Sequence, residues 1–115
     1  MPYMLLIMEP PGQRLTRTEA EGRETYAAMR RFGEDLQRRG LLVASESLAS
    51  ASTRITVRNG KPQTLDGPFA EAKEMVGGFF LLNCETREEA LRIAAECPAV
   101  HWCTIEVRQV APCYM

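Results

Sequence analysis

The sequence predicts an α+β fold, with two helices packed on one face of an antiparallel sheet. Three observations predict it. Two segments place apolar residues at helical spacing behind a capping residue. Six short segments carry strand-length apolar runs or strict alternation. The two classes interleave along the chain instead of clustering. All of this fits in 115 residues, the length of one domain.

Each element has its own signal. Residues 3–8 are an apolar run of strand length, and Pro10-Pro11-Gly12 ends it. Thr16 or Thr18 caps the first helix, with Glu19, Glu21 and Glu24 in its first turns, where carboxylates meet the positive end of the helix dipole. Tyr26, Met29, Phe32 and Leu36 draw one apolar stripe. Arg38, Arg39 and Gly40 supply a cationic last turn and a stop, so the helix covers about 18–39. Leu41 to Leu48 reads as the second strand. Thr53 to Arg58 alternates cleanly, and Asn59-Gly60 follows it. That pair tolerates positive φ at both centres of a tight hairpin turn. Lys61 to Leu65 is then the return strand. Asp66-Gly67-Pro68-Phe69 makes a second turn, and residues 70–74 form one helical turn. Val76 to Cys84 is a strand rich in Phe and Leu. Thr86-Arg87-Glu88-Glu89 is a capping box, and its helix runs to about Cys97, where Pro98 blocks continuation. His101 to Val110 is the last strand. The order is a ferredoxin-like βαββαβ arrangement with a β-hairpin inserted between its second and third strands.

Both faces of this sheet are apolar near the centre. Met4, Leu6 and Met8 oppose Tyr3, Leu5 and Ile7, and Phe79 and Leu81 oppose Phe80 and Leu82. Two helices cover one face only. The simplest cover for the other is a second copy of the chain, a homodimer. The alternative is that the hairpin and the C-terminal tail fold over it. Trp102, Thr104, Glu106 and Arg108 share the side of the last strand away from the core residues Ile105 and Val107, and Glu46 has the same parity on its own strand. An enclosed second face would therefore hold a polar small-molecule pocket, or else an ion pair at its rim.

Composition narrows the function. Lys and Arg number 14 against 15 Asp and Glu, which lacks the basic excess of a nucleic-acid binder. The longest strictly apolar run is five residues, too short for a membrane span. The N-terminus carries no basic leader. Cys84, Cys97, Cys103 and Cys113 form no C-x-x-C, and His101 is the one histidine, so no metal site is expected. Reduced thiols in a cytoplasmic protein are the expectation, with Cys113 the most reactive.

Asp66 is the candidate acid–base residue. Its alternative role is to fix the turn by accepting from the Phe69 or Ala70 N–H. Lys73 and Glu71 could tune it or form a weak surface pair. His101 is a second candidate acid or base, or simply starts a strand at the surface.

The run Asp66-Gly67-Pro68-Phe69-Ala70-Glu71-Ala72-Lys73-Glu74, continuing into Val76-Gly77-Gly78-Phe79-Phe80-Leu81-Leu82, resembles the signature of DGPF-domain proteins in the YCII-related group. The opening strand, Gly40-Leu41-Leu42, Glu46-Ser47-Leu48 and Glu106-Val107-Arg108 extend the resemblance over nearly the whole chain. It implies a dimeric α+β barrel. It also implies either a cofactor-free lyase or isomerase using a His–Asp pair, or an accessory module linked to an extracytoplasmic-function sigma factor. Of that pair only Asp66 has a counterpart, because Ala28 stands where the first helix should carry histidine.

Overall fold

A computed structural model describes residues 1–69 and 71–115. The main sheet has four strands, β1 (Tyr3–Glu9), β2 (Leu42–Ser47), β5 (Met75–Leu82) and β6 (Thr104–Gln109), in the order β2-β5-β1-β6. Helices α1 (Glu19–Arg38) and α2 (Arg87–Glu96) provide the connections that flank the central strands. β3 (Thr53–Arg58) and β4 (Lys61–Asp66) form a separate two-stranded sheet. This is the expected ferredoxin-like order with an inserted hairpin.

Thr18 is the cap of α1. Its hydroxyl accepts from the Glu21 N–H at 3.1 Å, and the Glu21 carboxylate accepts from the Thr18 N–H at 2.8 Å. These bonds hold the Glu21 carboxyl below its usual range, the main-chain bond contributing most. Thr86 caps α2 by accepting from the Glu89 N–H at 3.2 Å. Gly40 ends α1 at φ 71°, and Asn59 and Gly60 take φ 52° and 73° in the hairpin turn, as a two-residue connection of this type requires.

Along β1 the core-facing residues are Tyr3, Leu5, Ile7 and Glu9. Phe80 and Leu82 of β5 stand opposite Leu5 and Tyr3 on the same face. Phe32 and Leu36 of α1 and Ala90 and Ile93 of α2 complete this core. The Phe32 and Phe80 rings meet edge to face at 5.1 Å, a geometry that suits their quadrupoles. Gly33 lets α1 approach closely, since a Cβ there would lie 3.3 Å from the Phe80 ring edge. The buried residues of α1 all lie in its second half. Tyr26, the first residue of the apolar stripe, is 56% exposed.

The opposite face is formed by Met4, Leu6 and Met8, with Leu81 and Phe79 beside the first two on β5. Arg108, Glu106 and Thr104 pair with the same three residues from β6. The hairpin does not fold over this face: all its strand residues are exposed. Val110, Tyr114 and Met115 of the tail are exposed as well. The molecule measures 48 × 42 × 19 Å with a radius of gyration of 16.0 Å. A compact chain of this length would have about 13 Å.

Two local expectations change. Residue 70 lies outside the described residues, and 71–74 contain no helix; the Ala72 N–H donates to the Phe69 carbonyl in a turn at 3.0 Å. The last strand begins at Thr104, because Pro98–His101 is a 3-10 turn and the Trp102 and Cys103 N–H groups both return to the Ala99 carbonyl. Trp102 therefore does not share the alternation of β6. It packs against the core side.

The four cysteines are free thiols: Cys84 and Cys97 are buried, Cys103 half-buried and Cys113 exposed. Burial pushes the Cys97 thiol from 9.0 up to about 11, partly offset by a hydrogen bond with the Ala99 main chain. Between those values the unfolded chain has lost a proton that the folded chain keeps. The Cys97 contribution is thus full below about pH 9 and is lost as pH rises through about 11. The expected loss is about 2–3 kcal/mol. Urea unfolding at pH 8 and 10.5 checks it, because Cys97→Ala should flatten the fall relative to wild type. Equal slopes would contradict it.

Candidate functional site

β1 ends at Glu9, in phase with the buried Tyr3, Leu5 and Ile7. Pro10-Pro11-Gly12 then reverses the chain: Gly12 takes φ 83° and the Gln13 N–H donates to the Pro10 carbonyl at 3.2 Å. The 3-10 turn Gln13–Thr16 follows, and it brings Arg14 back over the sheet. Its Nη2 lies 2.8 Å from Glu9 Oε1. Nη1 donates to the Leu48 carbonyl at 2.7 Å, and Nη2 donates to the Gly77 carbonyl at 3.2 Å. One guanidinium thus joins the ends of β1, β2 and β5.

The Arg14–Glu9 contact is one of charge, not of aligned bonds. Two guanidinium N–H groups go to carbonyls, and beyond this 2.8 Å ion pair the buried Glu9 Oε1 has no aligned hydrogen-bond partner among the described residues. Glu9 is 6% exposed, the one buried charged residue among those described. Desolvating an ion pair is costly unless its remaining lone pairs are satisfied. A buried oxygen left open therefore calls for an explanation.

Gly77 makes room for this arrangement. The register between β1 and β5 slips between Ile7 and Met8, so Gly77 is the extra residue of a bulge. A Cβ at Gly77 would lie 2.6 Å from Glu9 Oε1 and 3.1 Å from Arg14 Nη2. No other residue leaves space for the pair as it stands.

Next to Glu9 is a cavity of about 500 Å³, between α1 and the sheet. Ile7 and Phe80 lie on its sheet side, Tyr26 and Met29 on its helix side, and Trp102 and Cys103 at its end. Gln13 fixes that end, donating to the Trp102 carbonyl at 2.6 Å while Cys103 Sγ lies 3.4 Å from its side-chain oxygen. Burial raises the Cys103 thiol pKa, and the Glu9 charge adds to the rise against the pull of Arg17 and Arg14. Cys103 is thus a protonated, soft lining group at neutral pH, not a thiolate nucleophile. Arg17 is half-buried on the cavity wall and makes no ion pair among the described residues. The arrangement offers an acceptor at the bottom, an apolar and aromatic wall, and a cation. Among the described residues no three His, Cys, Asp or Glu side chains gather as a metal site would need.

The sequence candidates divide. Trp102 and Glu46 border this cavity, though Glu46 is exposed and lies opposite Phe79 on the sheet's other face. Glu106 and Arg108 are exposed on the open face, beside Leu6 and Met4. Lys73 is exposed in the loop before β5. Asp66 ends β4 at the hairpin root, where it accepts from the Thr53 hydroxyl at 2.6 Å. It is exposed and does not line the cavity. His101 is exposed too. Glu9, Arg14, Arg17 and Cys103 were not among the candidates. One signal in the sequence marks Glu9: a carboxylate that continues the core-facing phase of an apolar strand.

Residues 1–113 match the YCII-related domain. The chain belongs to that family. A curated relative, the uncharacterized protein R00369 of Rhizobium meliloti (strain 1021), is 34% identical over 76 residues. The match covers 64% of this chain and 58% of that protein, so it spans less than two thirds of the relative's length. For this family member α1 has no histidine, and the buried carboxylate next to the cavity is Glu9. Among the described residues no helix is long and apolar enough to cross a membrane.

Proposed function

We propose that this YCII-related protein binds a small organic molecule in the cavity beneath α1 and that Glu9 acts on it as hydrogen-bond acceptor and general base. The observation that carries this reading is the buried Glu9 carboxylate, whose Oε1 is ion-paired with Arg14 but accepts no aligned hydrogen bond among the described residues, beside a cavity of about 500 Å³. That volume lies within the range of small-molecule sites, about 300–1,000 Å³. A ligand hydroxyl, N–H or acidic C–H supplies what the protein leaves open. An anionic group on the ligand meets Arg17. The chemistry is cofactor-free proton transfer, as in a lyase or isomerase, and a cytoplasmic setting fits four unpaired cysteines.

The test is a panel of small hydroxy acids and lactones, followed by thermal shift and turnover. Glu9→Gln is expected to abolish the thermal shift and to lower any turnover about 10²-fold or more. Binding and turnover that survive Glu9→Gln would overturn the assignment. Asp66→Asn separates the alternative site: loss at Asp66 with Glu9→Gln unaffected moves the chemistry to the hairpin root.

The same reading includes a homodimer. The apolar Met4, Leu6, Met8, Phe79 and Leu81 face is only half-buried in the protomer, and the hairpin and tail are exposed instead of packed on it. A second copy is the cover that requires no other component. Sedimentation at micromolar concentration should give twice the chain mass, and a folded single-chain species there would remove this part.

A further inference from the structure

The β3–β4 hairpin stands apart from its own chain. A two-stranded sheet alone is marginal in water, yet this one has no buried residue in either strand. Its root is closed by the Gly67 N–H, which donates to the Ser52 carbonyl at 2.8 Å, and by the Arg54 guanidinium, 3.8 Å over the Phe69 ring. Beyond that root the register places Ile55 and Val57 on one face, opposite Thr64 and Pro62. Ile55 and Val57 are 68% and 64% exposed. The tip carries Arg58 and Lys61 around Asn59-Gly60, and no acidic residue lies on the arm before Asp66.

We infer that the hairpin is an arm that clasps a second copy of this chain, its Ile55–Val57 face extending the contact beyond the paired sheets and its Arg58–Lys61 tip meeting carboxylates at the border of the second copy's open sheet. This rests on the homodimer reading above. Two features favour the second copy as occupant. The first is charge: the arm is cationic, while the open sheet carries Glu46 on β2 and Glu106 on β6 against a single cation, Arg108. The second is area. Four strands of about six residues offer a footprint of about 400 Å², about half the 800 Å² per partner of a standard stable interface. Each copy gives one arm and receives one. At roughly 200 Å² for each two-stranded arm, the exchange brings the contact near that standard. A twofold axis makes both contacts at once.

The experiment uses the full chain. Sedimentation equilibrium gives the dimer dissociation constant for wild type, for Ile55→Thr with Val57→Thr, and for Arg58→Glu with Lys61→Glu. Threonine keeps strand propensity, and all four side chains are exposed in the protomer, so folding should be unchanged by circular dichroism. Each double variant is expected to weaken the dimer at least tenfold, and the charge variant's effect should shrink at high salt. A wild-type dimer that both variants leave within twofold overturns the arm and keeps the dimer. A wild-type monomer removes the dimer reading and the arm with it. Hydrogen exchange gives a second measure, because β3–β4 amide protection should rise with protein concentration. Protection independent of concentration means the chain covers its own arm, and overturns the inference.

Discussion

Gly78→Ala is expected to cost about 3 kcal/mol or more, near the upper end for overpacked sites. A Cβ at this position would lie 2.8 Å from the Glu46 carbonyl oxygen and 3.4 Å from the Ser47 Cα. Both are backbone atoms of β2, the strand paired with Gly78 through Ser47. No flexible side-chain end can move aside, so β2 must retreat from β5. The Leu48 N–H bond to the Gly77 carbonyl, 2.9 Å in the native protein, goes with it. At this chain length the melting temperature should fall by roughly 10 °C. Two other glycines calibrate the measurement. Gly33→Ala meets only a ring edge at 3.3 Å and gains helix propensity of about 1 kcal/mol, so it should be near neutral. Gly77→Ala strikes the Glu9 carboxyl at 2.6 Å. It should cost less stability than Gly78→Ala, yet displace the carboxylate proposed to bind ligand. Urea unfolding of the three variants checks the ranking, and Gly78→Ala within 1 kcal/mol of wild type would refute the close approach.

Elements whose signals are local were legible in the sequence. The Thr18 cap, the Gly40 stop and the Asn59-Gly60 turn each depend on a few adjacent residues, and α1 came within a residue at each end. The strand order followed from interleaving, and the two-sided apolar sheet followed from period-two reading of β1 and β5. The site was much less legible because it is built across long separations. Arg14 bonds to carbonyls 34 and 63 positions away, and a carbonyl acceptor leaves no mark in side-chain sequence. Trp102 was assigned to the open face by extending strand alternation through a 3-10 turn, which breaks that period. Tyr26 belongs to a valid apolar stripe, but the stripe outruns the core and its first residue overhangs the cavity. Asp66 stood out for its neighbours in the signature. At the hairpin root its hydrogen bond to Thr53 joins the two arm strands. Glu9 was readable in principle, since its phase placed it in the core, and a lone carboxylate in that phase needs a buried partner.

Arg14→Ala should therefore destabilise the protein by more than a surface arginine would. Removing one member of a buried ion pair costs about 3–5 kcal/mol, because the other charge stays buried and unpaired. Arg14 itself is 34% exposed while the Glu9 side chain is 7% exposed. Water can therefore reach the vacated side, and about 2–3 kcal/mol is the expected loss after that screening. The Leu48 carbonyl loses its Arg14 donor as well, while the Gly77 carbonyl keeps the Leu48 N–H. Arg14→Lys should recover only part, since one ammonium cannot reproduce a planar fork reaching two carbonyls and a carboxylate. The decisive comparison is the double variant. Glu9→Gln removes the stranded charge, so in the Arg14→Ala background it should restore about 1–2 kcal/mol, whereas alone it should not stabilise the protein to that extent. Denaturant unfolding of the four proteins gives this coupling directly. A coupling near zero would mean that Arg14 serves the two carbonyls alone. Glu9 would then hold its buried place without help, and the open oxygen beside the cavity would lose its electrostatic context.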